Sequence, residues 1–224
     1  MAETRRVSDL RNRRVRTLRE ASSTRPHIYT VKENDKEVVV KDFSANGFLY
    51  RNTLGRFLVW REEKTYRRLK GLKGAPALYR VVSGLAVVLE HIPGRSLEDL
   101  QGEEKLPKRF FDDLRALVDA FHERGACHCD LKRAANILVG PDGLPVVIDW
   151  SAAILKREFR LFPLTRIYCR FMVDDLNAVT KFQLRDCPET VSAEARELYA
   201  SRSRAEKMVR ALRDRLRELL QRLA

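Results

Sequence analysis

The chain has 224 residues, 44% of them apolar, which is enough for a sizeable core in one large or two small domains, and it is expected to fold on its own. A formal charge of +13 with pI near 9.9 suits an anionic partner, whether nucleic acid, an acidic membrane surface or an acidic substrate, and does not choose among them. The four cysteines (127, 129, 169 and 187) form no CxxC pair, no leader-like apolar stretch opens the chain, and Arg or Lys interrupts every candidate for the roughly 18 to 20 apolar residues of a membrane span. The expectation is a soluble or peripheral protein of the reducing cytoplasm.

In chain order, the first twenty residues hold seven Arg, with Val7, Leu10, Val15 and Leu18 loosely spaced as one helical face, and read as a basic arm or helix over residues 1–25. "HIYTVKENDKEVVVKDF" has the pattern of a hairpin turning at Glu33 to Lys36, with Lys41 at the end of its second strand. From Phe57 to Leu72, Leu58, Glu62, Thr65, Tyr66 and Leu69 share a helical face, so a carboxylate sits in a stripe that otherwise reads as buried. An inward Glu62 needs a cationic partner, because an unpaired buried carboxylate is costly. Glu63 is the alternative for that role.

"LYRVVSG" and "LAVVLEHI" read as two more strands joined at Ser83-Gly84, and the β-rich half ends near Ile92. "PGRSLEDL" begins a turn and a helix with Ser96 as N-cap. "LPKRFFDDLRALVDAFHERG" is an amphipathic helix with Phe110, Leu114, Leu117, Val118 and Phe121 on one face and Gly125 as its C-cap. A second short hairpin, "NILV" and "LPVVID" around "GPDG", puts Asp130 in the loop before one strand and Asp149 at the end of the other. The rest reads as mostly helical, ending in a basic amphipathic helix over 192–224 whose Ala205, Val209, Leu212, Leu216, Leu219 and Leu223 alternate at spacings of four and three.

That hairpin can gather Asp130, Asn136 and Asp149, a set of hard oxygen donors suited to magnesium, which with few protein carboxylates takes its other ligands from water and nucleotide phosphates. With Lys41 in "VVVK", Glu62, "HCDLK" (His128, Asp130), Asn136 and Asp149 in this order, residues 26 to 175 resemble the protein-kinase-like superfamily. The short chain, "DW" in place of DF and the missing APE segment make it more similar to the lipopolysaccharide core (heptose or Kdo) kinases and the RIO kinases than to large eukaryotic protein kinases.

The resemblance implies an α+β, two-lobed fold: a small antiparallel β lobe over 26–92 and a mainly helical lobe over 93–191, with ATP and magnesium between them. It implies that Lys41 holds the nucleotide phosphates, Glu62 pairs with Lys41, and backbone groups of Glu90 and Ile92 face adenine. Asp130 would accept or orient the proton of an attacking hydroxyl, Lys132 would steady the phosphoryl group, and Asn136 and Asp149 would hold the metal. The acceptor implied is a sugar hydroxyl of an acidic glycolipid at the inner face of the cytoplasmic membrane. A protein hydroxyl, as for RIO kinases, and a pseudokinase binding module stay open. Nucleic acid is disfavoured, because aromatic residues are not interleaved with the basic clusters.

Three positions depart from the family pattern. Asn136 is six residues after Asp130 instead of five, so either the loop bulges or Asn136 is no ligand. No GxGxxG precedes the Lys strand, leaving Ser22, Ser23, Thr24 or nearby amides for the phosphates. Ser151 stands where DFG has Gly, which stiffens the turn. Cys127, His128 and Cys129 lack the second closely spaced ligand pair of a zinc site, and His128 reads as a packed, loop-orienting residue. Asp174 and Asp175 either begin a helix or, as the resemblance implies for one of them, brace the catalytic loop from below.

Overall fold

The computed structural model describes residues 6–200. A short helix α1 (Val7–Asn12) leads into strand β1 (Arg14–Arg19), followed by β2 (His27–Glu33) and β3 (Lys36–Asp42). Arg14–Arg19 is thus a strand where the sequence reads as arm or helix. The β2–β3 turn carries Asn34 and Asp35, both at positive φ (49° and 61°), the backbone that a tight two-residue hairpin turn requires. After β3 come α2 (Phe48–Tyr50), a π-helical turn (Arg51–Gly55), α3 (Arg56–Leu69), β4 (Leu78–Val82) and β5 (Ala86–Glu90).

The five strands form one antiparallel sheet in the order β1-β2-β3-β5-β4. Strand alternation decides what each face carries. Tyr29, Val31, Val38, Val40, Ala86 and Val88 pack beneath Val7 and Leu10 of α1. Asp42, fully buried on β3, ties α1 down through Arg11 at 2.8 Å. Val39 and Lys41 of β3 therefore face the other way, with Leu89, into a cleft. A one-residue slip of β3 would turn Lys41 into the α1 core.

The remainder is mostly helical, with small strand pairs: β6 (Arg95–Ser96), α4 (Lys108–Glu123), β7 (Ala126–Cys127), β8 (Ile137–Val139), β9 (Pro145–Val147), β10 (Ile154–Leu155) and α5 (Leu164–Asp186). The expected helix after Ser96 is a run of turns: Ser96 and Asp99 cap one another (Asp99 N–H to Ser96 Oγ, 3.1 Å; Ser96 N–H to Asp99 Oδ2, 3.0 Å), and Gly102 follows at φ 87°. Helix α4 forms as read, with Gly125 in the left-handed region just past its end. Its face of Phe110, Leu114, Val118 and Phe121 packs with Trp150, Val179 and Phe182. The architecture is α+β and compatible with two lobes: the sheet with α1 and α3, and the helical part, meet across a cleft of about 550 Å³. Gly94 lets the crossover pass against β8, since a Cβ there would lie 2.4 Å from the Val139 carbonyl oxygen.

Among the described residues no helix is long and apolar enough to cross a membrane. Residues 193–200 are helical, and the heptad-like stretch read from Ala205 onward lies outside the described residues.

Candidate active site

Three segments converge in the cleft. Alternation along β3 presents Lys41, the buried stripe of α3 presents Glu62, and the turn after β9 presents Asp149. Lys41 Nζ donates to Glu62 Oε1 at 2.6 Å and to Asp149 Oδ1 at 2.7 Å. Glu62 and not Glu63 takes this place; Glu63 pairs with Arg67 one helical turn on. Burial alone would lower the Lys41 ammonium, but Asp149 and Glu62 together hold it above the ordinary lysine range. The Lys41 charge holds Asp149 well below the ordinary carboxylate range against the effect of burial. Burial raises the Glu62 carboxyl, opposed by Lys41.

Asp149 sits at φ 65°, ψ 68°, a left-handed backbone that costs a non-glycine residue free energy and is kept where surrounding contacts enforce it. Those contacts are visible. Ser151 Oγ donates to Asp149 Oδ1 at 2.8 Å, so the serine in place of glycine fixes the carboxylate as well as stiffening the turn. Trp150 is fully buried, edge-on to Phe121 (4.7 Å) and His128 (4.8 Å), and anchors the backbone next to Asp149.

The loop carrying Asp130 is built from below. Asp175, 2% exposed in the middle of α5, accepts from His128 N–H at 2.7 Å and Cys129 N–H at 3.0 Å. Cys127 Sγ donates to the same carboxylate at 3.0 Å, and His122 Nε2 lies 3.3 Å away. Asp175 therefore braces the loop, and the helix-start reading of Asp174 and Asp175 is set aside because α5 begins ten residues earlier, at Leu164. Asp130 N–H donates to His128 Nδ1 at 3.3 Å while His128 Nε2 meets the Ile148 carbonyl at 3.0 Å, so His128 links the loop to the residue before Asp149. His122, Cys127 and Asp175 lie close enough together for a metal. Yet Asp175 is already committed to the loop amides, and the Cys127 thiol is pushed up by its hydrogen bond with Cys129 and by burial.

Asn136 reaches the site despite its extra residue. A 3₁₀ turn, Ala134–Asn136, takes up the added length, and Asn136 Nδ2 donates to the Asp130 carbonyl at 3.0 Å, which leaves its amide oxygen as the group offered to a cation. Asn136 and Asp149 both line the cleft, as do Glu90 and Ile92. The Glu90 carboxylate accepts from Ala77 N–H at 3.0 Å, and the Glu90 N–H donates to the Ala77 carbonyl at 2.9 Å. Lys132 is exposed, as is its neighbour Arg133, whose Nε stands 3.2 Å from the Asp130 carboxylate.

Ser22, Ser23 and Thr24, read as stand-ins for a glycine loop, are not among the residues that line the cleft. The turn after β1 is held to the segment after β3, with Asn46 Nδ2 donating to the carbonyls of Ser22 (2.6 Å) and Arg25 (3.0 Å) and Tyr50 donating to that of Thr24 (2.6 Å). Arg16 and Arg19 of β1 line the cleft instead. Arg19 Nε is buried with no hydrogen-bond partner, and its charge acts on Glu62. Sequence reasoning missed both: three residues apart, they are of opposite parity in a regular strand, and it is the register irregularity of β1 between Thr17 and Arg19 that goes with both lining the cleft, a feature with no sequence signal among five other arginines nearby.

Comparison with known proteins finds the class first: over a short segment the chain is similar to serine/threonine protein kinases. A stretch of 51 residues is 47% identical to the serine/threonine-protein kinase PknD of Chlamydia trachomatis serovar D and 45% identical to PknD of Chlamydia muridarum. That stretch is 23% of this chain and spans about 5% of the length of those relatives. No protein-family profile matches the chain.

Proposed function

We propose that the chain is an ATP- and magnesium-dependent phosphotransferase of the kinase-like type, with the sheet as its smaller lobe (26–92, joined by β1) and the helical part as its larger lobe (93–191). The observation that carries this reading is the buried Lys41 held between Glu62 and Asp149 on the wall of a cleft of nucleotide size. A lysine buried only for stability needs one counter-charge; here Lys41 has two, and Asp149 is the one of them that lines the cleft.

The donor set fits magnesium, since the Asn136 amide oxygen and the Asp149 carboxylate are hard oxygen donors on one wall. When bound, the ion would neutralise phosphate charge during transfer. The chain's own residues do the rest. Lys41 holds the nucleotide phosphates, and Arg16 and Arg19 add positive charge where a glycine loop would otherwise supply amides. Backbone groups of Glu90 and Ile92 bind the base. Asp130 accepts the proton of the attacking hydroxyl, with Arg133 orienting its carboxylate.

For the acceptor, the excess positive charge supports an acidic molecule bearing a hydroxyl, with a sugar of the lipopolysaccharide core as the leading candidate. The likeness to PknD favours a protein hydroxyl as the second reading. The ATP reading is tested by calorimetric titration of the folded chain with ATP, with and without magnesium. Magnesium-dependent binding that Lys41→Met weakens is expected; no binding by folded protein would overturn it.

A further inference from the structure

Nine of the fourteen large apolar side chains that stand exposed among the described residues fall in two short stretches, 48–60 and 161–167. Phe48, Leu49, Leu161 and Phe162 are each about three-quarters exposed, and Trp60 is half exposed. Scattered exposed apolar residues need no explanation, whereas a cluster of this kind marks an interaction surface. The end of the first stretch lies beside the segment that leads into the second. Arg61 donates to the Ala153 carbonyl, and Glu158, just before the second stretch, is matched by Arg61 at 3.5 Å and Lys64 at 2.5 Å.

Their charge is one-sided. Residues 48–61 include Arg51, Arg56 and Arg61 with no Asp or Glu, and residues 159–170 include Arg160, Arg166 and Arg170 with no Asp or Glu. The basic groups lie over the exposed rings: Arg51 over Phe48 (5.4 Å), Lys64 over Trp60 (4.7 Å) and Arg166 over Phe162 (5.9 Å). Aromatic and aliphatic side chains interleaved with cations, with Glu158 between the two stretches already neutralised by Arg61 and Lys64, complement a surface that is apolar beneath and anionic at its face. Such a surface is an anionic lipid bilayer.

We propose that the face formed by residues 48–61 and 159–170 docks the protein on anionic membrane lipid, with Phe48, Leu49, Leu161 and Phe162 entering the headgroup boundary and the arginines contacting lipid phosphates. The proposal does not depend on phosphotransfer, because docking is read without turnover. Glu62 lies on the opposite side of α3 from the exposed Trp60, so docking leaves the cleft open.

The test uses the full chain and vesicles of phosphatidylcholine, alone or mixed with an equal amount of phosphatidylglycerol. Wild type is expected to sediment with the mixed vesicles only. Phe48→Ser with Leu49→Ser, and Leu161→Ser with Phe162→Ser, should each weaken partition at least about tenfold. Arg160→Glu with Arg166→Glu should weaken it about fivefold or more per arginine. Trp60 gives a second readout: Trp150 is fully buried, so a blue shift of emission on mixed vesicles reports Trp60. Equal binding to neutral vesicles, or serine variants with wild-type circular dichroism that sediment as wild type, would overturn the proposal and assign any binding to another part of the chain.

Discussion

Lys41 and Asp149 are 108 positions apart in sequence and 2.7 Å apart in space, and their ion pair closes the β-rich part of the molecule onto the helical part. Everything proposed for the site depends on that contact and on the Lys41–Glu62 pair beside it.

Lys41→Met leaves Glu62 and Asp149 buried together without their cation, and removing one partner of a buried pair costs about 3–5 kcal/mol. The pH dependence should change sign as well. In the wild type Asp149 is depressed, so its contribution is present above the ordinary carboxylate pKa of about 4 and is lost as pH falls through the lower folded value. Without Lys41, burial and mutual repulsion raise both carboxyls, so their contribution is present at low pH and lost as pH rises through the raised values. Urea midpoints at about pH 2.5 and pH 7, below and above the ordinary carboxylate pKa, check this: higher at pH 7 for wild type, with the difference shrinking or reversing in the variant.

Arg19→Ala should weaken ATP binding by about 10- to 100-fold, the range expected for one hydrogen bond to a charged group, and leave adenosine binding unchanged. Competition of the two ligands against a fluorescent nucleotide separates them. An equal loss for both would show that Arg19 shapes the cleft and does not contact phosphate.

Asp175→Ala orphans the His128 and Cys129 amides, at about 1–3 kcal/mol each, and releases the loop that carries Asp130. Denaturant unfolding should show that loss, and kcat should fall more than nucleotide affinity, because the cleft walls that hold the nucleotide stay in place.

Trp150→Ala should cost about 3–5 kcal/mol, since the indole fills the core between Phe121 and His128. Trp150→Phe keeps a ring there and loses only the indole bond to the Val147 carbonyl (3.2 Å), so thermal unfolding should place it much nearer wild type.

The parts of this site legible in sequence are those fixed by local period. Glu62 follows from the stripe on α3, because that helix must bury one face and a carboxylate on it needs a partner, whereas Lys41 was legible only through the order of motifs in the family resemblance, and alternation in β3 explains afterwards why it faces the cleft. The hairpin that brings Asn136 towards Asp149 is marked by its turn residues. Strand β1 was hidden because it sits at the sheet edge: Val15 and Leu18 are exposed, so they mark no core face, and the strand is held mainly by backbone pairing with β2. Only Val7 and Leu10 of the expected helical face are buried. The brace at Asp175 was legible only through the family resemblance, because its partners are loop amides 46 and 47 positions away and leave no periodic trace. Arg19 was masked by the surrounding arginines, and only the sheet shows which of them turns inward.

The central claim, phosphoryl transfer with Asp130 as base, is tested most directly by following labelled γ-phosphate from magnesium ATP into lipopolysaccharide and cell protein with wild type and Asp130→Ala. The prediction is label on a hydroxyl acceptor, reduced about 10²- to 10⁴-fold in the variant while folding is retained, with its destination deciding between glycolipid and protein. Transfer that is equal in the two proteins, or absent from folded wild type that binds ATP, would contradict it.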